Sequence, residues 1–221
     1  MIAKISEIFK SIQGEGLYQG REQVFVRFFD CNLACGYCDT KPVTYQEQSL
    51  EEVMRQILVY GNYHSVSLTG GEPLLQIDFL KELAKFLKSI KKITYLETNG
   101  IVYESLKKVI EYCDIIAMDF KLPSSGRHQV FWPEHKKFLE IASAQDVFVK
   151  AVITENTNAV DMAQAIAIIR EVAPAVSLVL QPQNPFEDVL GAKLDSFKKM
   201  CQDAGVNVKI ITQLHKKLGI R

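Results

Sequence analysis

The sequence predicts an α/β protein, a single domain built on an open or partial parallel barrel of about six β–α units. Three observations carry this reading. Short apolar runs alternate with segments of helical periodicity along nearly the whole chain, as expected when helices cover a parallel sheet. No Pro/Gly/Ser-rich linker or low-complexity tract breaks the alternation, so residues 1–221 read as one domain. The chain has 221 residues, whereas a complete eight-unit barrel typically takes ~250. The pattern alone leaves a doubly wound sheet open as the alternative.

The units follow in order. Residues 24–29 (VFVRFF) form a compact β-type run. Ser49 and Glu52 make a capping-box signal for a helix whose apolar positions Leu50, Val53, Met54, Ile57 and Leu58 keep the helical period. A strand is predicted over 64–69. An amphipathic helix over 77–89 carries Phe79, Leu80, Leu83, Phe86 and Leu87 on its apolar side. Next come a strand over 93–97, a helix over 105–112, a strand over 115–119, a helix over 134–144 and a strand over 147–152. The Ala- and Ile-rich helix over 161–172 stops before Pro174. A strand over 176–180, a helix over 194–204 with Gly205 as its C-cap, and a strand over 206–211 complete the pattern.

Composition narrows the function classes. Apolar content is 48%, charged content 24% and formal net charge zero, so no electrostatic feature points to a nucleic-acid or membrane partner. No apolar run reaches the ~18–20 residues of a membrane helix. The opening MIAKISEIFKSIQ lacks a secretory hydrophobic region, so the cytoplasm is the expected compartment. There, clustered cysteines bind metal or do redox chemistry more often than they form disulfides.

In parallel α/β folds the ligand site lies at the C-terminal ends of the strands. Those positions here carry DCNLACGYCDT, TGGEP (69–73), ETNG (97–100), DFKLPSSG (119–126), QPQN (181–184) and TQLH (212–215). Polar βα loops are ordinary one at a time. The cysteine cluster and TGGEP together ask for one shared mouth. Cys113 and Cys201 read as buried small hydrophobes. Cys31, Cys35 and Cys38 do not, because their loop is rich in Asn, Gly and Asp. A structural zinc site wants a fourth ligand, and neither a second cysteine pair nor a nearby His pair supplies one. Three thiolates suit an iron–sulfur cluster that keeps one iron open.

The CxxxCxxC spacing in the loop after the predicted first strand, followed by the GGE of TGGEP, resembles the radical S-adenosylmethionine (radical SAM) superfamily. The resemblance implies a partial (β/α)6-type radical SAM barrel in which Cys31, Cys35 and Cys38 hold a 4Fe–4S cluster whose open iron binds SAM. Reductive cleavage of SAM then yields a 5'-deoxyadenosyl radical that takes a hydrogen atom from substrate. It also implies SAM contacts at Tyr37, Cys38, Asp39, Gly70, Gly71 and Glu72, with Glu97, Asn99, Asp119, Phe120 and Lys121 as further candidates. Gly70 and Gly71 are expected to let backbone approach the ligand.

Within that superfamily, FxSIQGEG at 9–16, the arginine of VFVRF, CNLxCxxCDT, PSSG at 123–126 and the ending QLHKKLGIR are similar to the 7-carboxy-7-deazaguanine synthase family. The similarity runs from about residue 5 to the chain end. It implies conversion of 6-carboxy-5,6,7,8-tetrahydropterin to 7-carboxy-7-deazaguanine, with ring contraction and loss of ammonia, on a route to queuosine and other 7-deazapurines. SAM acts as a cofactor, and Mg2+ is held through the Thr40 hydroxyl, a hard oxygen ligand. A flavodoxin or ferredoxin as electron donor and a homodimer are the implied partners.

The residue chemistry agrees with those roles. Residues 5–22 are expected to pack on the barrel as a substrate-binding segment. In it Gln13, with the backbone of Ile12 and Gly14, would hydrogen-bond the pterin ring, and Glu15 would accept from its N–H groups. Arg27 offers a fork that matches the substrate carboxylate. Thr69, His215 and the terminal carboxylate of Arg221 are further substrate candidates. Two rivals remain at this point. A glycyl-radical activase shares CxxxCxxC but needs neither SIQGEG nor Arg27. A metal-binding or electron-transfer module needs no glycine-rich loops at successive strand ends.

Overall fold

The computed structural model describes residues 1–38, 43–127 and 129–220. Its strands are β1 (Ile2–Ile12), β2 (Glu22–Phe28), β3 (Gln46–Ser49), β4 (Ser65–Gly70), β5 (Ile93–Thr98), β6 (Ile115–Asp119), β7 (Asp146–Ile153), β8 (Leu178–Pro182) and β9 (Val208–Ile210). The helices are α1 (Leu50–Leu58), α2 (Ile77–Ser89), α3 (Tyr103–Leu106), α4 (Pro123–Gly126), α5 (Trp132–Ala142), α6 (Ala159–Val172), α7 (Gly191–Asp203) and α8 (Leu214–Leu218).

The nine strands among the described residues form one open sheet in the order β3-β1-β2-β4-β5-β6-β7-β8-β9. β1 is antiparallel to β2 and β3, and each pairing from β2 through β9 is parallel. The parallel strands lie in chain order without the reversal that defines a doubly wound sheet. Right-handed crossovers that all step the same way leave the helices on one face, and α5 packs on α6 and α6 on α7. A partial barrel is therefore the outcome, as predicted.

Local chemistry explains the boundaries. Ser49 accepts from the Glu52 N–H at 3.2 Å while Glu52 accepts from the Ser49 N–H at 2.7 Å, which is the anticipated capping box. Gly205 sits at φ +74 after α7, and the Val206 N–H bonds back to Cys201 O at 2.9 Å. The expected helix over 105–112 is not continuous: the short α3 and a 3-10 turn over Ile110–Tyr112 replace it. The backbone leaves the helix at Val109, φ −127, where two β-branched residues come in succession. The helix predicted over 134–144 begins earlier, at Trp132, with Pro133 in its first turn. β1 and β3 lie outside the predicted strands, because the alternating IAKISEIFKSI is an antiparallel strand with mixed burial rather than an apolar run.

Alternation within the parallel strands sorts two faces. Val24, Val26, Phe28, Leu68, Leu96, Ile116, Met118, Val149 and Leu180 face the helices and join the main core. On the concave face a smaller apolar group, Tyr95, Ile115, Ala117, Phe148 and Val179, occupies one end. Leu17 and Tyr18, from the loop joining β1 and β2, pack on it. That loop crosses the concave face. Gln19 Nε2 donates to Thr212 O at 2.6 Å, and the Leu214 N–H donates to Gly14 O at 2.9 Å. Gly16, at φ +63, leaves no room for a Cβ, which would lie 2.5 Å from the Phe148 ring.

Candidate active site

Above the apolar end, at the C-terminal ends of the strands, lies a cavity of about 570 Å³. Its walls bring together Cys31, Cys35, Cys38, Tyr37, Gly70, Gly71, Asn99, Asp119 and Lys121 with Ile12, Gln13, Gly14, Glu15, Arg27, Thr69, Glu97 and His215. Residues spread over two hundred positions thus meet, as the loop signatures predict. Asp39, Thr40 and Arg221 lie outside the described residues. Glu72 and Phe120 are fully or almost fully buried and stand behind the cavity rather than in its wall.

The cysteine loop leaves β2 through Asp30, which adopts a left-handed φ of +73 and is held by Lys4 Nζ at 3.1 Å. Among the described residues none of the three thiols is in a disulfide, and the Cys38 N–H donates to Cys35 O at 3.2 Å. Burial pushes the Cys31 and Cys35 thiols up, while the Lys121 ammonium pulls both down. Among the described residues, no three His, Cys, Asp or Glu side chains gather tightly enough to hold a single metal ion. What the cavity offers is three soft sulfurs on one wall, a donor set that fits an iron–sulfur cluster and not a hard cation. The same cavity holds two buried acceptors short of hydrogen bonds: Gln181 Oε1 has none, and Asp119 Oδ1 has the Lys150 ammonium at 3.5 Å. A bound molecule rich in N–H and O–H donors, as SAM is, fits them.

The glycines of TGGEP do something the sequence does not suggest. A Cβ on Gly70 would lie 2.2 Å from Phe28 O, and one on Gly71 would lie 1.9 Å from Asp30 O. The Gly71 N–H bonds to Phe28 O at 3.0 Å and the Glu72 N–H to Asp30 O at 2.9 Å. The side of each glycine where a Cβ would stand is filled by the chain's own backbone, and the two glycines weld β4 to the stem of the cysteine loop while still lining the cavity. The Glu72 carboxylate then accepts from Leu74 N–H at 3.1 Å, Thr98 Oγ1 at 2.9 Å and Asn99 N–H at 2.8 Å. Burial pushes this carboxyl up to about 7, against the pull of those donors. Asn99 Nδ2 in turn donates to Asn32 Oδ1 at 2.7 Å. Glu72 and Asn99 therefore tie three loops together.

The DFK segment is fixed by a residue the sequence reading passed over. Buried His135 accepts from the Lys121 N–H through Nε2 at 3.0 Å and donates from Nδ1 to Gly100 O at 3.0 Å, with its ring stacked 4.9 Å from Phe120. Lys121 Nζ pairs with Asp119 Oδ2 at 2.7 Å and lies 5.6 Å from the Tyr37 ring centroid. Burial pushes the Tyr37 phenol up to about 12.

The opposite wall differs from expectation in two places. Gln13 Nε2 donates to Gln23 Oε1 at 2.9 Å and Glu97 Oε1 at 2.7 Å, and its Oε1 accepts the Glu15 N–H at 3.0 Å. Both amide donors are used within the chain, so the Gln13 side chain shapes the SIQGEG turn. Glu97, expected beside SAM, is the hub of this wall: it also accepts from Ser67 Oγ at 3.1 Å and Thr69 Oγ1 at 2.8 Å. Arg27 lines the cavity as expected, with Nε on Glu7 Oε1 at 2.8 Å. That orientation leaves the Nη edge of the guanidinium for an anion. His215 packs against Gly14, where a Cβ would meet its Nδ1 at 2.0 Å. Glu15 pairs with Lys150 Nζ and accepts from Gln213 Nε2 at 2.6 Å.

Residues 26–154 match the model of the radical SAM superfamily. A protein of Geobacter sulfurreducens named 7-carboxy-7-deazaguanine synthase is 36% identical, over 98% of this chain and 97% of its own length. One of Methanothermobacter thermautotrophicus with the same name is 32% identical, over 100% of this chain and 99% of its own. Among solved structures, QueE from Escherichia coli superposes with a TM-score of 0.68 at 19% identity, covering 95% of this chain and 94% of that one. A domain of a pyruvate-formate lyase-activating enzyme from Bacteroides vulgatus shares the fold at a TM-score of 0.53 and 16% identity, covering 66% of this chain and 98% of that one. Fold alone does not separate the two enzymatic readings; the full-length sequence relatives do.

Proposed function

This chain belongs to the radical SAM superfamily and, within it, to the 7-carboxy-7-deazaguanine synthase family, and we propose that its cavity converts 6-carboxy-5,6,7,8-tetrahydropterin to 7-carboxy-7-deazaguanine. The observation that carries the proposal is one cavity with three thiols on one wall and SIQGEG, Arg27 and His215 on the other. The cluster on Cys31, Cys35 and Cys38, with SAM, would supply the radical that takes hydrogen from the pterin. The rest is the work of this chain's own side chains. Arg27, braced by Glu7, takes the substrate carboxylate. Glu15 accepts ring N–H groups, and the backbone of Ile12 and Gly14 meets the ring edge. Thr69 and Glu97 back that wall. Asp119 and Lys121 meet SAM with Asn99, Tyr37 and Gly71. The apolar group around Tyr95 and Phe148 closes the cavity to water from below.

Finer assignments complete the reading. Residues 5–22 act as the substrate-binding segment, Thr40 supplies an oxygen to Mg2+, Asp39 joins the SAM contacts, and the Arg221 carboxylate meets substrate. The enzyme works in the cytoplasm as a homodimer reduced by a flavodoxin or ferredoxin. The test is an anaerobic assay of reconstituted protein with SAM, dithionite, Mg2+ and the pterin, read by mass and ultraviolet spectrum. Product with the mass of 7-carboxy-7-deazaguanine supports the proposal. An intact cluster with SAM cleaved but no pterin turnover sinks it.

A further inference from the structure

β7 reads DVFVKAVI, an apolar strand with one cation in its middle, and nothing in the proposed chemistry uses that cation. Alternation turns Lys150 to the concave face between Phe148 and Val152, and all three line the cavity. Its side chain is 13% exposed, so the ammonium sits where an isolated charge is costly. Two carboxylates from distant segments compensate it: Glu15 of the SIQGEG turn pairs with it directly, and Asp119 Oδ1 of β6 lies 3.5 Å away. Despite burial, the neighbouring carboxylates of Asp119, Glu15 and Glu97 raise its pKa, so it stays an ammonium at working pH.

We propose that Lys150 is a positioning residue for the pterin: its ammonium fixes Glu15 so that the remaining carboxylate lone pairs point at the substrate's ring N–H donors. Glu15 has two oxygens. Lys150 takes one side of Oε2 and Gln213 Nε2 takes one side of Oε1. Held at both ends, the carboxylate is left with a lone pair on each oxygen, the pattern that accepts two adjacent N–H donors, as on a guanidine-like edge of a planar heterocycle. Without the ammonium, the Glu15 carboxylate shares the cavity with those of Asp119 and Glu97 uncompensated, and it turns away. That change removes the two-acceptor pattern.

This rests on the pterin reading above, and the experiment keeps the two apart. Binding of 6-carboxy-5,6,7,8-tetrahydropterin is titrated calorimetrically into anaerobic, SAM-loaded holoenzyme for wild type, Lys150→Met, Lys150→Arg, Glu15→Gln and the Lys150→Met/Glu15→Gln pair. Absence of binding by wild type overturns the pterin reading itself. With wild type binding, Lys150→Met is expected to weaken affinity at least tenfold, Glu15→Gln by a similar factor, and the pair by no more than about twofold beyond Glu15→Gln alone. Lys150→Arg keeps the cation and is expected to stay within about threefold of wild type. Wild-type affinity in Lys150→Met overturns the inference. So does a pair whose loss is the product of the single losses, the result a merely structural lysine gives. If Lys150→Met fails to reconstitute, the same cycle is run with Lys150→Gln, and the same outcomes decide.

Discussion

Step one residue along each central strand and the sheet changes character. Leu68, Leu96, Met118, Val149 and Leu180 are at most 1% exposed and belong to the helix-facing core. Their immediate successors, Thr69, Glu97, Asp119, Lys150 and Gln181, line the cavity. The first row is held by burial alone and tolerates no charge. The second is a band of one hydroxyl, two carboxylates, one cation and one amide, in which Thr69, Glu97, Asp119 and Lys150 are compensated by partners from other strands or loops. The difference teaches where each kind of damage appears. A lesion on the helix side costs stability and leaves the chemistry of the surviving molecules intact. A lesion on the cavity side costs binding or turnover and little stability.

The largest test of that division lies at the cavity rim. Cys31→Ala, Cys35→Ala and Cys38→Ala are each expected to abolish activity and lower iron content after reconstitution, while the metal-free protein melts near wild type. A variant retaining full iron and turnover would remove its cysteine from the ligand set. On the helix side, Leu96→Ala should cost about 2–5 kcal/mol of stability in urea unfolding, with unchanged turnover per folded molecule. Loss of turnover at undiminished stability would break the comparison. Arg27→Ala should weaken pterin binding by about 10- to 100-fold, the scale of a lost charge-assisted contact, without loss of iron. Equal affinity in calorimetry would take Arg27 out of the site.

A pH titration sharpens the boundary between the faces, because Glu72 is buried behind the cavity yet titratable. Its folded pKa is raised from 4.5 to about 7. Between those values the native state keeps a proton that the unfolded chain releases. Its contribution is therefore fully present below about pH 4.5 and fades as pH rises through 7, with a slope of at most about 1.4 kcal/mol per pH unit. Urea midpoints of metal-free wild type and Glu72→Gln from pH 5 to 8 check this. Parallel curves would show that Glu72 is already ionised at pH 5.

Much of this was legible in the sequence because it is written in short linear motifs. The cysteine triad, the GGE loop, SIQGEG and Arg27 all come to one cavity, and the β–α alternation placed it at the strand ends. What was not legible is pairing across distance. Lys150 is one cation in an apolar run until the fold sets Glu15 beside it. Glu97 looked like part of a cofactor loop until Gln13, Ser67 and Thr69 converged on it. Gly70 and Gly71 were recognisable as glycines that something approaches closely, but the approaching group is the backbone of Phe28 and Asp30, at the end of β2 and just beyond it. His135 gave no signal at all, since an isolated histidine in an amphipathic helix has no pattern to read. β1 was missed because half-buried alternation in a charged segment looks like a solvated stretch.

The bridge from the SIQGEG loop to the chain after β9 has a bearing on how the molecule is made. Gln19 reaches Thr212, and Gln213 reaches Glu15, across 193 and 198 positions. Contacts so remote in the chain are the slowest kind to form. During synthesis, the thiol loop and the strands beside it emerge early and can pair among themselves. The opposite wall has to wait, because Glu15 has no Gln213 and Gly14 has no Leu214 until those residues, some two hundred positions later, have left the ribosome. A nascent chain stalled before residue 212 would thus present the thiols with no assembled pocket to confine their chemistry.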